Sequence, residues 1–524
     1  MSTIAAPLAR LRAPAARFWA LPVPVRLAFG LAFLTGFSLA LRTQGIHARY
    51  WIDEGLSVGI SSHPFFDVPG LLRQDGSPPL YYLLLSLWMD VFGFGEADTH
   101  AMSIAFTLVS VPVAFAAGRA LFGARAGWFA ALVVAMNPFL TYYAQETRMY
   151  ALVTLLSLCV AGTFGLVFVQ RRRVWLPGFA ASLALLMYSH NWGLFLAVGT
   201  GVAFLLLLGG DPDKRGMLRD AVLAYGAVAI LYLPWVPSLL FQAKHTGAPW
   251  SEAPVPADAL GGVVSLLGGP PSAMAFALAA GSGLAGLLVG PRLRGPKARA
   301  VLALLTMGLV ALALAWVMSQ ISPAWATRYL SVLLGPLVLL GGAGMSRAGT
   351  LGLVVAAILA VLWLNPRTHA LETKSNAHTA AVLVEDRLAP GDLVVAVHPE
   401  QGPVMHLYLP KGLRWANALG PVADPRIMDW RDALQRLKDA KPTPTEDALV
   451  KTLKPNQRLL AVFPIIRSAQ WGAPWTKLVR TRSARWQRVL DRDKRLSRVL
   501  AAPHLNGRRP KGVRLVLYQR LEPE

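Results

Sequence analysis

Two neighbouring carboxylates, Asp53 and Glu54, stand near the head of a polar stretch, residues 49–81, that separates apolar runs. They follow Tyr50 and Trp51, an aromatic pair of the kind that settles at a membrane–water interface. Acids at that depth are costly unless they are paired, hydrated or put to use. One use is general-base catalysis, in which a carboxylate takes the proton of an attacking hydroxyl. The competing use is structural, as a cap on a helix N-terminus. Asp75 follows in RQDGSPPLYY, where Gly76 supplies a turn and Pro78-Pro79 open the next helix. With Asp53 it makes a candidate pair for a divalent cation, Mg or Mn, because hard cations take carboxylate oxygens. Equally, it marks only the start of that helix.

Arginines supply the complementary charge. Arg148 follows YYAQET and Arg328 follows SPAWAT, each with a tyrosine one or two residues on, Tyr150 and Tyr329. Both fall at the outer ends of apolar runs, where the bias of cations toward cytoplasmic loops does not explain them. A planar guanidinium binds phosphate through two parallel hydrogen bonds, so both are candidate clamps for a lipid-linked phosphate. Snorkelling to headgroups would place them there as well. His190, with Asn191, marks another outer helix end and either lines the same cavity or bonds the helix terminus.

The elements that hold these residues are membrane helices. The chain has 524 residues, 54% of them hydrophobic and 15% charged, with repeated apolar runs long enough to cross a bilayer. The formal charge of +23 does not point to nucleic acid, because much of it sits in short loops beside those runs. The lone cysteine, Cys159, lies in an apolar run, which leaves no disulfide framework and no cysteine-based metal site. Arg10, Arg12 and Arg17 precede an uncleaved first span at 25–41 and put the N-terminal tail in the cytoplasm. The basic loops at Arg119/Arg125, Arg171–Arg173, Lys214/Arg215/Arg219 and Arg292/Arg294/Lys297/Arg299 all fall inside if 79–94 lies along the outer face rather than crossing. The expectation is then eleven spans, at 25–41, 101–118, 126–140, 148–169, 176–189, 193–208, 217–236, 273–289, 301–318, 330–344 and 351–364. Residues 44–99 form the first outer loop, and 259–267 form an outer-face helix.

Residues 365–524 change character. Short apolar strands are expected at 393–397, 459–463 and 513–518, with helices at 378–388 and 430–440. That pattern reads as a soluble α/β domain, extracytoplasmic by the same topology and of ordinary size for one core. It is basic, with 28 Lys and Arg against 15 Asp and Glu. Such a surface suits anionic headgroups or cell-wall polymers, or simply keeps the domain soluble. The chain lacks GxxxxGK[ST], a GxGxxG opening a βαβ unit, HExxH and GxSxG, so nucleotide-driven transport and familiar hydrolase chemistry have no support.

Four motifs in this order, WIDEG (51–55), DGSPPLYY (75–82), NPFLTYYAQETRMYAL (137–152) and ATRYLSVLLGPL (326–337), resemble the GT-C glycosyltransferases. The similarity is to the bacterial branch near protein O-mannosyltransferases (family 39) and lipid A aminoarabinose transferases, and it covers roughly residues 25–364. The resemblance implies a polytopic α-helical fold of the GT-C type and an acid of the first outer loop as catalyst, here Asp53 with Glu54 beside it. It implies a polyprenyl-phosphate sugar as donor, with Arg148, Arg328 and Tyr329 at the donor phosphate. Asp75, Tyr81, Tyr143, Gln145, Glu146 and His190 would line the substrate cavity. The family often has His before the Pro-Pro, where this chain has Ser77, and any metal or phosphate role at that position is not carried over. The implied enzyme inverts the sugar and sits, multi-pass, in the cytoplasmic (inner) membrane among membrane lipids. It would serve a cell-envelope acceptor on the outer face and no nucleic acid. Two other classes stay open: a lipid or glycolipid transporter or flippase, which would show paired broken helices, and a non-catalytic scaffold of envelope assembly.

Overall fold

The computed structural model describes residues 21–286, 295–365, 368–465, 472–502 and 512–522. Arg10, Arg12, Arg17, Arg292 and Arg294 lie outside the described residues. Six helices are long and apolar enough to cross a membrane: Val23–Arg42, Glu96–Phe122, Tyr150–Val169, Lys214–His245, Pro296–Ile321 and Thr327–Arg347. The chain is accordingly a multi-pass membrane protein. The expected spans at 126–140, 176–189, 193–208 and 351–364 fall on helices of 13 to 17 residues. A helix needs about 20 residues to cross a hydrocarbon core of about 30 Å. Length alone therefore supports six crossings against the expected eleven.

One further helix pair passes the same test only when its two halves are taken together, as a broken span or a re-entrant loop. Pro256–Leu266 and Pro270–Ala285 meet at 81°, where the sequence suggested an outer-face helix followed by a separate span. Gly268 and Gly269 both take positive φ, 88° and 107°, a region open to glycine and strained for other residues. Pro270 then restarts the helix, since the missing N–H of a first-turn proline leaves no intrahelical bond unmade.

The segment expected as the first outer loop is helical. Ile52–Ser61 carries the two acids, Val68–Asp75 ends at Gly76 with φ 103°, and Leu80–Phe92 follows the Pro-Pro break. At about 1.5 Å per residue, 13 residues rise only about 20 Å, too little to cross.

The C-terminal residues build a six-stranded sheet in the order β3-β2-β1-β4-β6-β5. The strands are β1 (Leu393–Ala396), β2 (Arg414–Asn417), β3 (Gly420–Val422), β4 (Arg458–Ile465), β5 (Leu496–Ala502) and β6 (Gly512–Arg520). Central β1 pairs parallel with β2 and β4, and the remaining pairs are antiparallel. Alternate side chains go to opposite faces. Val394, Leu460 and Val462 join the membrane core, while Val395, Leu459 and Ala461 pack with Trp475 and Trp486. The three expected strands are β1, β4 and β6. The expected helix at 378–388 is two short pieces, Ala377–Val382 and Glu385–Arg387, and that at 430–440 is Ala433–Asp439.

This domain sits directly on the Asp53 helix, and two glycines permit it. A Cβ on Gly55 would stand 2.6 Å from the Val404 main chain, and one on Gly59 would collide with the Arg426 carbonyl. Four residues apart, they share one helix face. His63 Nε2 lies 2.6 Å from Asp424 Oδ2, and the Trp430 N–H donates to the Gln74 carbonyl.

Candidate active site

Asp53 and Glu54 begin the helix Ile52–Ser61, so their side chains leave about 100° apart, and they meet different surroundings. The Asp53 carboxylate is partly exposed, and Arg328 Nη2 lies 3.1 Å from its Oδ2. Arg328 is steered by its Nε–H donating to the Tyr150 hydroxyl at 3.0 Å. Its guanidinium stands within 6 Å of three rings, Trp51, Trp250 and Tyr329. Arg148 approaches from the other side. Its Nη1 donates to the Asp53 carbonyl at 3.1 Å and to Ser57 Oγ at 3.0 Å, with the Tyr82 hydroxyl at 3.5 Å. Two guanidiniums thus converge on Asp53, one at its carboxylate and one at its main-chain carbonyl.

Glu54, expected to share the catalytic role, is instead closed off. No part of its side chain is exposed, and both oxygens are taken. Oε1 accepts from His100 Nε2 at 2.7 Å and from the Thr147 N–H at 2.9 Å. Oε2 accepts from the Trp51 N–H at 3.2 Å and pairs with Lys374 Nζ at 2.6 Å. The capping alternative therefore describes Glu54, which closes the first turn of its own helix. Burial pushes its carboxyl up, and Lys374 with His100 more than reverses this, holding it at about 2.

The other expected cavity residues divide in the same way. Tyr329 belongs with Arg328, its ring 6.3 Å from Tyr150 and 4.7 Å from His190. His190 is buried, its Nδ1 accepts from the Trp192 N–H, and burial beside Arg148 and Arg328 lowers it to about 3, so it is neutral. Tyr143 packs its ring 5.0 Å from Tyr150. Asp75 is raised by burial, with Ser77 and Arg148 opposing and Asp53 adding to the rise. Gln145, expected in the cavity, is fully buried and ties two outer segments, accepting from the Gly45 N–H and donating to the Thr141 carbonyl. Tyr81 is buried edge-on against Tyr82, and it is Tyr82 that reaches Arg148. Glu146 is buried behind Glu54; burial raises it to about 7, against the pull of Lys374 and with the push of Glu54.

The donor set does not fit a resident divalent cation at Asp53 and Asp75. Asp53 is already engaged by Arg328, and among the described residues no three His, Cys, Asp or Glu side chains cluster as ligands. Hard cations take six or more oxygens.

Sequence reading missed the residues that aim the arginines, Ser57 and Tyr82, and those that lock Glu54, His100 and Lys374. Tyr150 was visible as the tyrosine spaced after Arg148. Trp250, which stands beside Arg328, was passed over.

Residues 76–241 match the family model described as dolichyl-phosphate-mannose-protein mannosyltransferase. No curated protein matches the chain by sequence. Among solved structures, ArnT from Cupriavidus metallidurans in the apo state superposes with a TM-score of 0.65 at 16% identity, over 95% of this chain and 100% of that one. The same protein bound to undecaprenyl phosphate gives 0.63 at 15% identity, over 94% and 99%. The Archaeoglobus fulgidus oligosaccharyltransferase in its apo form gives 0.55 at 12%, over 83% and 69%. With the converging arginines and the acid-bearing outer helix on one rim, these likenesses identify the fold as that of the GT-C glycosyltransferases.

Proposed function

We propose that the protein is a membrane glycosyltransferase that moves a sugar from a polyprenyl-phosphate donor to a cell-envelope acceptor at the outer face of the cytoplasmic membrane. The observation that carries this reading is the contact of Asp53 with Arg328 at 3.1 Å, with Arg148 bonded to the same residue's carbonyl. In this reading Asp53 is the base and the two guanidiniums beside it are the groups that would take the donor phosphate. ArnT, which shares the fold over nearly the whole chain, has been seen with undecaprenyl phosphate bound.

In the reaction, Asp53 takes the acceptor hydroxyl proton as the oxygen attacks the anomeric carbon. The bond from that carbon to the phosphate oxygen breaks, and its electron pair leaves with the polyprenyl phosphate. A single displacement of this kind inverts the carbon. Arg328 and Arg148 hold the departing charge in a poorly hydrated site, where fixed cations stabilise it most. Glu54 positions the helix that carries Asp53 and touches no reacting atom.

With the four shorter helices and the bent pair counted as crossings, as the sequence expects, residues 44–99 and the C-terminal domain lie outside the cell membrane. In a Cys159→Ser background, Asp67→Cys and Thr481→Cys should then react with an impermeant thiol reagent in intact cells, and Thr350→Cys should not. The function itself is tested by incubating membranes holding the protein with labelled polyprenyl-phosphate sugars. Transfer of label to envelope material supports the reading. Its absence with every donor, in membranes whose own donor pool is intact, removes it.

A further inference from the structure

The helix Pro474–Arg492 divides its two faces completely. Trp475, Val479, Trp486 and Leu490 are buried in the domain core. The opposite face shows Lys477, Arg480, Arg485, Arg488 and Arg492, all exposed, and at 100° per residue they fall within a single arc of about 140°. None of these five forms an ion pair among the described residues. Elsewhere in the same domain exposed cations do find acids: Arg431 and Arg436 pair with Asp429, Arg495 with Asp493 and Asp447, and Lys451 with Asp447. The one acid on the stripe, Asp491, accepts the Tyr518 hydroxyl at 2.7 Å. Like charges three and four residues apart on a helix repel, so the stripe is a row of cations held without a partner.

Its position gives it a use. At its first turn the Trp475 N–H donates to the Pro249 carbonyl at 3.1 Å. The next residue, Trp250, packs against the same core and carries Arg328 5.8 Å from its ring. The first turn of the helix therefore adjoins the segment whose Trp250 ring stands beside Arg328, and the cations begin at the end of that turn, with Lys477. From Lys477 to Arg492 the stripe runs about 22 Å along the helix. Helices that bind lipid surfaces insert an apolar face, and here that face is consumed by the domain core.

We infer that this helix is the docking track for an anionic glycan, a saccharide chain bearing carboxylates or phosphates, which it delivers to the catalytic rim as the acceptor. The inference rests on the glycosyltransferase reading and names its acceptor class. A row of five cations raises the local concentration of a polyanion and speeds its arrival, and salt screens the effect. The neutral sugar hydroxyl that reacts then needs only to reach Asp53.

The test uses the full chain in detergent and oligogalacturonate of roughly ten units as the probe, with dextran of equal length as the neutral control. Wild type should bind oligogalacturonate, lose that binding as salt rises, and ignore dextran. The variant Lys477→Gln/Arg480→Gln/Arg485→Gln/Arg488→Gln should bind at least tenfold more weakly at unchanged thermal stability. Arg480→Lys/Arg485→Lys/Arg488→Lys should bind as wild type, because the track reads charge. Equal binding by the Gln variant, equal binding of dextran, or binding only to vesicles containing phosphatidylglycerol would overturn the inference. The Asp53→Asn protein should bind the probe normally, which separates this claim from the catalytic one. If no lipid-phosphate sugar is ever transferred, the glycosyltransferase reading fails, and a charge-dependent track would then have no acceptor role.

Discussion

On the Asp53 side of the helix Ile52–Ser61 the carboxylate meets one guanidinium at 3.1 Å and keeps some exposure. On the Glu54 side the carboxylate meets an ammonium, an imidazole and two main-chain amides with no exposure at all. The two acids are adjacent in sequence, equally deep by any hydropathy argument, and chemically almost identical. What separates them is the number of donors each has to itself. A carboxylate with four donors is held as an ion and has no lone pair left for a substrate. A carboxylate with one guanidinium partner keeps lone pairs free to accept a proton, and the guanidinium keeps N–H groups that a phosphate can engage.

The sharpest way to break this contrast is Asp53→Asn, which keeps the shape and removes the base. Turnover should fall by roughly 10²–10⁴-fold, the usual worth of a positioned general base. Labelled sugar transfer at matched protein levels reads it, and wild-type turnover would sink the assignment. Glu54→Gln should fail differently, losing folded protein rather than the chemistry of the molecules that fold. It leaves Lys374 buried without its anion, and breaking such a pair costs about 3–5 kcal/mol. Adding Lys374→Met should recover much of the loss, a non-additivity that thermal denaturation of both variants would show. If Glu54→Gln instead lowered turnover more than Asp53→Asn at unchanged stability, the two roles would be reversed.

Smaller effects sharpen the open side. Arg328→Lys keeps the charge and loses the planar fork, so kcat/KM for the donor should drop by about 10–100-fold, the size of one lost charge-assisted hydrogen bond. Donor titrations that match wild type would leave Arg328 a headgroup anchor. The closed side has a pH signature. Glu54 is depressed to about 2, so its contribution is complete above its ordinary value near 4.5 and is lost only as pH falls toward 2. Glu146 is raised to about 7, so its contribution is present below 4.5 and is lost as pH climbs to 7. Thermal stability should therefore decline between pH 5 and 7.5, and Glu146→Gln should flatten that decline. An unchanged slope in the variant would place the titration elsewhere.

Much of the open side could be read from sequence because its signals are local. Arg148 and Arg328 stand where topology does not ask for cations, and Asp53 sits beside an interfacial aromatic pair. The closed side could not be read, because Glu54 is defined by His100, Thr147 and Lys374, partners from three separate segments. The same distinction runs through the fold. Strands β1, β4 and β6 are apolar runs and were legible, whereas β2 and β3 are four and three residues long and exist only through pairing with their neighbours. Gly55 and Gly59 carry no signal of their own in WIDEGLSVG, and their purpose appears only once Val404 and Arg426 are packed against them.

Lys374 lies 320 residues beyond Glu54 (374 − 54), and this distance becomes a delay during synthesis. At about 5–20 residues per second, the ribosome needs roughly 16–64 s to travel from one to the other. Throughout that interval the outer loop has already emerged while its buried carboxylate has no ammonium. Until the last third of the chain arrives, Glu54 lacks the cation that offsets the cost of its burial. Residues beyond 364 thus supply the last partner of the helix Ile52–Ser61, and a chain stopped at residue 364 would leave Glu54 without Lys374.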